Sequence, residues 1–568
     1  MADRQPAGTD QAGEAGVPIA PGVIGVLGAG TMGAGIAQLA VRSGAQTLMY
    51  DPIEEALEKG AERVREGLSR EVAKGRLGAQ EARAAGEALA TVGTLEELKE
   101  CELVIEAVPE RLELKHEIYA RLSEIVSAQC VLATNTSSLA VTAIAAAASG
   151  PERVVGMHFF NPPPVMRLLE VIAGEQSSER ALAVARAAGE AMGKTVIRAS
   201  DGPGFLVNRC NRPFGLEALR LLGERIADVE TIDRICRMEG GFPMGPFELM
   251  DLVGVDVGFD IAKSFFEQSF SEPRWRPSPI TARYVAAGLH GRKTGRGFYQ
   301  YEPQTPHRPA DPEPLANDEP GKGEGVVVIA GESVLAGELR AAAKRAGYEV
   351  RGPFTPAAGV LPALSIDCDA EPAGRADRRD PARQSHLHAP SHQGGAHLLL
   401  CARGSLSALD PGGSAVGFHV LAPLDRATLV ELTRNESSSP VAAARAERFF
   451  QAIGKHVVWV NDAPGLVLGR IVCQLINEAA FALSEGVGSA EDIDTGMLLG
   501  LNHPRGPLAW ADAIGVDRVL ETLEALCEEY REERYRPAPL LRRLVAAGRL
   551  GGSGGGFFDG RPAARDLT

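Results

Sequence analysis

The chain runs to 568 residues, which at a prior of one domain per ~150 residues predicts about four domains and excludes a disordered or single-module protein. Hydrophobic residues make up 45% and charged residues 23%, and 59 Lys+Arg against 74 Asp+Glu leave a net charge of −15. A chain of this sign lacks the field that neutralises phosphates, so no nucleic acid is expected as a partner. The eight cysteines are scattered, with no CxxC pair and no metal-ligand spacing, as in proteins of a reducing compartment. No apolar stretch approaches the ~18 residues needed to cross a bilayer, and the polar, Gly/Ala-rich start (1–21) reads as a disordered tail. A cytoplasmic protein with no membrane partner is therefore expected.

In chain order, the apolar run Val23 to Leu27 has strand length and leads directly into GAGTMGAGIA, a tight turn opening a helix. Gly28, Gly30 and Gly33 form GxGxxG, and Asp51 closes the next strand 18 residues past Gly33. Gly28 permits the turn, Gly30 lets backbone approach a pyrophosphate, and Gly33 allows close helix–strand packing; the helix start at Thr31 and Met32 supplies N–H groups for the anion. An acid at the position of Asp51 can bond both ribose hydroxyls and repels a 2′-phosphate, which favours NAD over NADP. Further strands are predicted at 103–107, 131–134, 154–158 and 195–198, alternating with helices. That alternation predicts a Rossmann-like, doubly wound parallel sheet over 22–201.

At the carboxyl ends of these strands, where open parallel sheets bind ligands, fall Asn135 and Ser137 of TNTSSL and His158 and Asn161 of GMHFFNP. His158 is the natural general base, and Glu170 could lock its tautomer. From these residues alone, a satisfied core histidine and a solvated glutamate fit equally well. From Gly202 the pattern turns helical, with Asn208 of DGPGFLVNR near the start of the first long helix, and this all-α domain runs to 301. The stretch 302–323 carries six prolines and reads as a linker.

Across that linker lies a long internal repeat at a constant offset of 261 residues. DGPGFLVNR (201–209) meets DAPGLVLGR (462–470), and Gly156, His158, Pro162, Glu170, Asp233, Asp251 and Asp256 meet Gly417, His419, Pro423, Glu431, Asp494, Asp512 and Asp517. A period of this length indicates domain duplication. The second copy is shorter and eroded: a degenerate Rossmann-like domain over 324–461, then a second helical domain over 462–560. Its Gly-rich turn has Ser333 and Ala336 in place of two glycines, Ala422 replaces Asn161, Gly469 replaces Asn208, and its middle, 371–395, reads as a loop. His386, His388, His392 and His397 stand in that Pro/Gly-rich setting without accompanying ligands, so no metal is expected.

Seven motifs, GAGTMGAGIA, EAVPE, NTSSL, GMHFFNP, DGPGFLVNR, PMGPFELMDLVG and GRKTGRGFY, occur in the order of the L-3-hydroxyacyl-CoA dehydrogenase family, which the chain resembles over 22–301 nearly in full. The duplicated plan resembles the long bacterial form, of 3-hydroxybutyryl- or 3-hydroxyadipyl-CoA dehydrogenase type. The resemblance implies a helical domain like that of 6-phosphogluconate dehydrogenase, NAD as cofactor and an acyl-CoA substrate. It implies His158 as base, Glu170 as its partner, Ser137 and Asn208 on the substrate oxygens, and Glu110, Lys115, Asn161 and Lys293 as cofactor contacts. Arg63, Arg70 and Lys74, at helical spacing, could attract the phosphates of coenzyme A. The second copy is expected to be structural, its helical domain packing on the first as an internal pseudo-dimer. Whether whole chains associate further is left open. A sugar-acid dehydrogenase and a non-catalytic dinucleotide-binding scaffold are the competing readings, the latter opposed by the intact His158, Glu170, Ser137 and Asn208. Fatty acid and phenylacetate breakdown are both compatible settings.

Overall fold

The computed structural model describes residues 20–315, 323–352, 362–372, 395–552 and 555–558. The expected N-terminal tail and most of the expected 371–395 loop lie outside them. The chain divides into two compact units, one ending at Asp201 and one beginning at Gly202.

The first unit holds eight strands, β1 (Val23–Leu27), β2 (Gln46–Tyr50), β3 (Leu89–Val92), β4 (Leu103–Glu106), β5 (Val131–Thr134), β6 (Val154–Phe159), β7 (Leu168–Ala173) and β8 (Thr195–Ser200), in the order β3-β2-β1-β4-β5-β6-β7-β8. Its central strands are continuous apolar runs because helices cover both faces. Ile24, Val26, Leu103, Ile105, Val131 and Ala133 are buried in one core with Ile36, Leu39 and Ala40 of α1 (Thr31–Arg42) and Val64 and Leu68 of α2 (Glu54–Ala73). Also in this unit are α3 (Ala79–Glu87), α4 (Leu112–Ile125), α5 (Val141–Ala145) and α6 (Glu179–Ala191).

The strands β3 and β7 add to the six expected from the sequence, and the sheet is mixed where an all-parallel one was expected. β7 pairs antiparallel with β6, setting His158 opposite Glu170, and β8 then runs parallel to β7. The missed strand LLEVIA is buried through its first five positions, Glu170 included. A charged residue inside a short apolar run hides a strand from periodicity alone.

The second unit opens with α7 (Val207–Gly223), α8 (Val229–Met238), α9 (Pro246–Val253), α10 (Val255–Gln268) and α11 (Pro279–Ala286). The described part of the Pro-rich stretch that follows is strapped to these helices: Asp311 accepts two bonds from Arg237 (2.8 Å each), and Arg308 and His307 bond Glu248 (2.7 and 2.8 Å). Then comes a second sheet of β9 (Val326–Ala330), β10 (Glu349–Arg351), β11 (Leu364–Asp367), β12 (His397–Leu400), β13 (Val416–His419), β14 (Leu429–Thr433) and β15 (His456–Trp459). Its order, β10-β9-β11-β12-β13-β14-β15, repeats the first without a counterpart of β3 among the described residues, and β13 and β14 repeat the one antiparallel pairing. Helices α12 (Val334–Ala346), α13 (Leu406–Leu409) and α14 (Pro440–Ala452) accompany it. The chain ends in α15 (Leu468–Ser484), α16 (Ala490–Leu501), α17 (Pro507–Ile514), α18 (Val516–Tyr530) and α19 (Pro539–Ala546).

Two of the aspartates shared by the two copies hold helix starts. Asp201 accepts from the amides of Val141 and Thr142 at the start of α5, and Asp462 does the same for Leu406 and Ser407. Asp233 and Asp494 likewise hold the first turns of α9 and α17. Such caps satisfy orphan N–H groups, a need set by the fold and independent of chemistry.

The two helical domains pack through α7 and α15, joined by reciprocal ion pairs. Arg470 donates to Glu217 (2.9 and 2.6 Å) and Glu224 (2.6 Å), and Arg209 donates to Glu478 (2.9 Å) and Glu485 (2.7 Å). The offset of 261 residues relates Arg209 to Arg470, Glu217 to Glu478 and Glu224 to Glu485, so this is an isologous contact made within one chain. Arg470 and Glu217 are both fully buried, and two tyrosine hydroxyls, of Tyr530 and Tyr535, also accept from Arg470. Removing one partner of such a pair strands the other's charge. Arg470→Ala is expected to destabilise this unit by about 3–5 kcal/mol in urea unfolding, and Arg470→Met with Glu217→Leu to recover most of that loss.

Candidate active site

The Gly-rich turn joins β1 to α1 with the geometry an anion site needs. Gly28 has φ +91°, and a Cβ there would stand 2.6 Å from the Ala107 carbonyl oxygen. A Cβ on Gly33 would stand 1.8 Å from the carbonyl oxygen of Gly28, so the helix can cross the turn only without a side chain there. A Cβ on Gly30 would meet nothing within 4 Å, which leaves its backbone open to a ligand. No side chain caps α1, whose first residues are Thr31 and Met32, so its leading amides stay available to an anion. Asp51, just past β2, is drawn to the same turn: its Oδ2 accepts from the Ala29 amide at 2.9 Å and its Oδ1 from that of Ile53 at 3.0 Å. These residues fit an NAD pyrophosphate and adenosine ribose.

The carboxyl ends of β4, β5 and β6 carry the rest. His158 Nδ1 donates to Glu170 Oε2 at 2.6 Å, and Nε2 lies 3.1 Å from the Ser137 hydroxyl. Glu170 is fully buried and His158 4% exposed, so the pair is shielded from competing water. With Nδ1–H committed to the carboxylate, Nε2 carries the lone pair and faces Ser137. Asn135 turns back to accept from the Phe159 amide at 2.8 Å, tying the end of β5 to β6. Asn161 follows that strand and precedes Pro162 and Pro163.

Glu110 organises the loop bearing Ser137. Its carboxylate accepts from the Thr136 hydroxyl, from the amides of Ser137 and Ser138 (3.0 Å each) and from the Ser138 hydroxyl. Lys115, 1% exposed, lies between Glu106 (2.7 Å) and Glu110 (3.3 Å). Burial alone would raise the Glu110 carboxyl, but Lys115 and the donors on the loop outweigh it and hold it below the usual carboxylate range. Sequence reading placed Glu110 and Lys115 at a cofactor but missed the loop lock made with Thr136. A threonine hydroxyl bonding a glutamate twenty-six residues away leaves no periodic trace. Asn208 and Lys293 belong to the second unit, Asn208 in the first turn of α7 and Lys293 paired with Asp256 at 2.6 Å.

A cleft of about 310 Å³ opens in the first unit beside the turn, lined by Thr31, Gly35 and Pro162–Val165 on one side and by Arg63, Arg70, Lys74 and Arg76 on the other. The three cations expected on one face of a helix do share it. Arg63 is partly committed, donating to the Ala29 carbonyl at 3.3 Å, and Arg76 is paired with Glu71.

In the second copy the corresponding features are closed. Ser333 caps α12 with its own hydroxyl, bonding the Ala336 amide at 3.2 Å. A Cβ on Gly469, which stands where the first copy has Asn208, would fall 2.4 Å from the His419 ring, so α15 lies directly on that histidine. His419 Nδ1 has no hydrogen-bond partner, and Glu431 instead accepts from the amides of Val467 and Leu468 (2.8 and 2.9 Å). The dyad of the first copy is not formed here.

Comparison with known proteins agrees with this geometry. Residues 23–202 match the model of the 3-hydroxyacyl-CoA dehydrogenase NAD binding domain, and 204–301 and 465–560 each match that of the 3-hydroxyacyl-CoA dehydrogenase C-terminal domain. Residues 408–464 match the 3-hydroxybutyryl-CoA dehydrogenase reduced Rossmann-fold domain. The chain is 36% identical over 520 residues to 3-hydroxyadipyl-CoA dehydrogenase of Escherichia coli (strain K12), covering 92% of this chain and 96% of that one. The chain belongs to the 3-hydroxyacyl-CoA dehydrogenase family. It is an NAD-dependent enzyme of that class. A probable 3-hydroxybutyryl-CoA dehydrogenase of Bacillus subtilis (strain 168) is 41% identical over 280 residues, 49% of this chain and 97% of its own. The crystal structure of 3-hydroxybutyryl-CoA dehydrogenase from Escherichia coli K12 superposes with a TM-score of 0.74 at 33% identity, covering 93% of this chain and 99% of that one.

Two outcomes follow from this site. Asp51→Ala is expected to raise KM for NADH about 10-fold or more, the scale of a hydrogen bond to a charged group, and to narrow the preference over NADPH. Because the Glu110 carboxyl is depressed, the order it confers on the 136–138 loop is fully present above the ordinary carboxylate pKa of 4.5 and is lost as pH falls through its own lower value. At neutral pH, Glu110→Ala should speed deuterium uptake in a peptide spanning this loop at least ~10-fold, read by mass spectrometry.

Proposed function

We propose that this enzyme interconverts a short-chain L-3-hydroxyacyl-CoA and the 3-ketoacyl-CoA, in the first copy alone. The observation that carries the proposal is the chain Ser137–His158–Glu170, at 3.1 and 2.6 Å, built in the same unit as an open Gly-rich turn with its acidic partner Asp51. NAD, held by the Gly-rich turn and Asp51, would supply the acceptor for the C3 hydride. His158 Nε2 takes the proton of the 3-hydroxyl, and Glu170, fully buried on Nδ1, stabilises the imidazolium that forms. Ser137 and Asn208 hold the substrate oxygens. Gly28, Gly30, Thr31, Met32, Gly33 and Asp51 hold the adenosine diphosphate end of the cofactor. Glu110, Lys115, Asn135, Ser137, Asn161 and Lys293 would complete the cofactor site, Lys115 by holding Glu110.

The cationic wall of Arg63, Arg70 and Lys74 supports a coenzyme A substrate, since three side chains facing one cleft suit its phosphates. The names of the relatives point to a 3-hydroxybutyryl or 3-hydroxyadipyl chain. All eight cysteines are unpaired, seven of them buried, in keeping with the cytoplasmic setting we propose. Among the described residues no helix is long and apolar enough to cross a membrane.

The test is NADH oxidation at 340 nm with acetoacetyl-CoA. His158→Ala is expected to lower kcat at least ~10²-fold with little change in KM for NADH, the scale of a positioned general base. Glu170→Gln should also lower kcat and shift its pH profile, because the tautomer and charge of His158 depend on that carboxylate. Near-wild-type turnover in His158→Ala would overturn the assignment.

A further inference from the structure

The second copy contains three buried groups that the dehydrogenase reading does not use. Glu239, at the end of α8, projects against His419 of β13 and Glu431 of β14, and one ligand atom from each lies within 4.8 Å of the other two. Glu239 is 5% exposed, His419 2% and Glu431 fully buried. His419 Nδ1 has no hydrogen-bond partner, and the Glu239 carboxyl meets only the Leu421 amide and the Glu431 carboxyl, so these polar groups converge on one buried point with few donors of their own. Each Glu431 oxygen accepts one backbone amide, which leaves each a second lone pair. Among the described residues no Lys or Arg pairs with either glutamate, and only the Leu421 amide favours the charged form of Glu239.

Two carboxylates and an imidazole packed together without a cation are costly to bury. We propose that Glu239, His419 and Glu431 bind one divalent first-row transition metal, of the zinc or manganese class, as a structural clamp. Two oxygens and one imidazole nitrogen form a borderline-hard donor set that suits such ions better than calcium or magnesium. Donors on one tetrahedral ion at ~2.1 Å stand about 3.4 Å apart, so the three atoms need only a small inward movement. Binding would displace any proton on Glu239 and leave His419 and both carboxylates satisfied.

The clamp would fasten the end of α8 to the β13–β14 hairpin. That junction is already marked by Thr428, whose amide and hydroxyl both donate to the Met238 carbonyl at 2.8 Å. The eroded catalytic pair would thereby serve the packing of the second unit, its histidine being sealed from substrate by α15 at Gly469.

The experiment is metal analysis of the full chain, produced without a polyhistidine tag, after loading with zinc, manganese or cobalt and dialysis against a weak chelator. The triple variant His386→Ala/His388→Ala/His392→Ala removes the histidines of the Pro/Gly-rich stretch as competing ligands. About one equivalent should remain in wild type and in the triple variant and be lost in Glu239→Gln. The cobalt form should show visible d–d absorption that shifts in Glu239→Asp, and gel filtration checks that both Glu239 variants remain folded. No retained metal with any of the three ions would overturn the proposal in favour of a proton shared between Glu239 and Glu431. Metal that survives Glu239→Gln but leaves with the three histidines would overturn it too.

Discussion

A single reversal of strand direction governs the chemistry of this molecule. In both sheets one antiparallel pair, β6–β7 and β13–β14, interrupts an otherwise parallel run and places a histidine directly opposite a glutamate. Directly opposite residues of antiparallel strands share one face at close range, so the dyad is a property of register. In the first copy the pair bonds and Nε2 looks out toward Ser137. In the second copy the register is kept, yet the chemistry is not, because α15 covers the ring and the glutamate is taken by backbone amides.

Duplication also lets one chain make within itself a contact with two-fold character. The six-residue exchange of Arg209 with Glu478 and Glu485, and of Arg470 with Glu217 and Glu224, is what a two-fold axis would generate. Buried guanidinium–carboxylate pairs give little net stability against apolar replacements but strongly penalise misalignment. They therefore fix how α7 and α15 meet, and they explain why the eroded copy keeps its helical domain while its nucleotide-binding features have lapsed.

The sites differ in how far they could be seen in advance. The turn at Gly28, Gly30 and Gly33 was visible because each glycine answers a local steric demand, and Asp51 because it closes the adjacent strand. The roles of His158 and Glu170 came from family resemblance, since as isolated residues they were indistinguishable from a core histidine and a solvated charge. The loop lock at Glu110 and Thr136, and the approach of Glu239 to His419, were invisible. They join segments far apart in sequence through side chains with no periodic pattern.

The sequence by itself determined the alternation of strands and helices, the Gly-rich turn and the offset of 261 residues, since pattern, local sterics and internal identity are all written along the chain. Only the tertiary structure decided that β7 runs against β6, that residues 307–311 are strapped down by Arg237 and Glu248, and that one histidine bonds its glutamate and faces Ser137 while its counterpart is sealed. Those outcomes depend on which distant groups share a buried volume, where an unpaired charge or a missing side chain matters most.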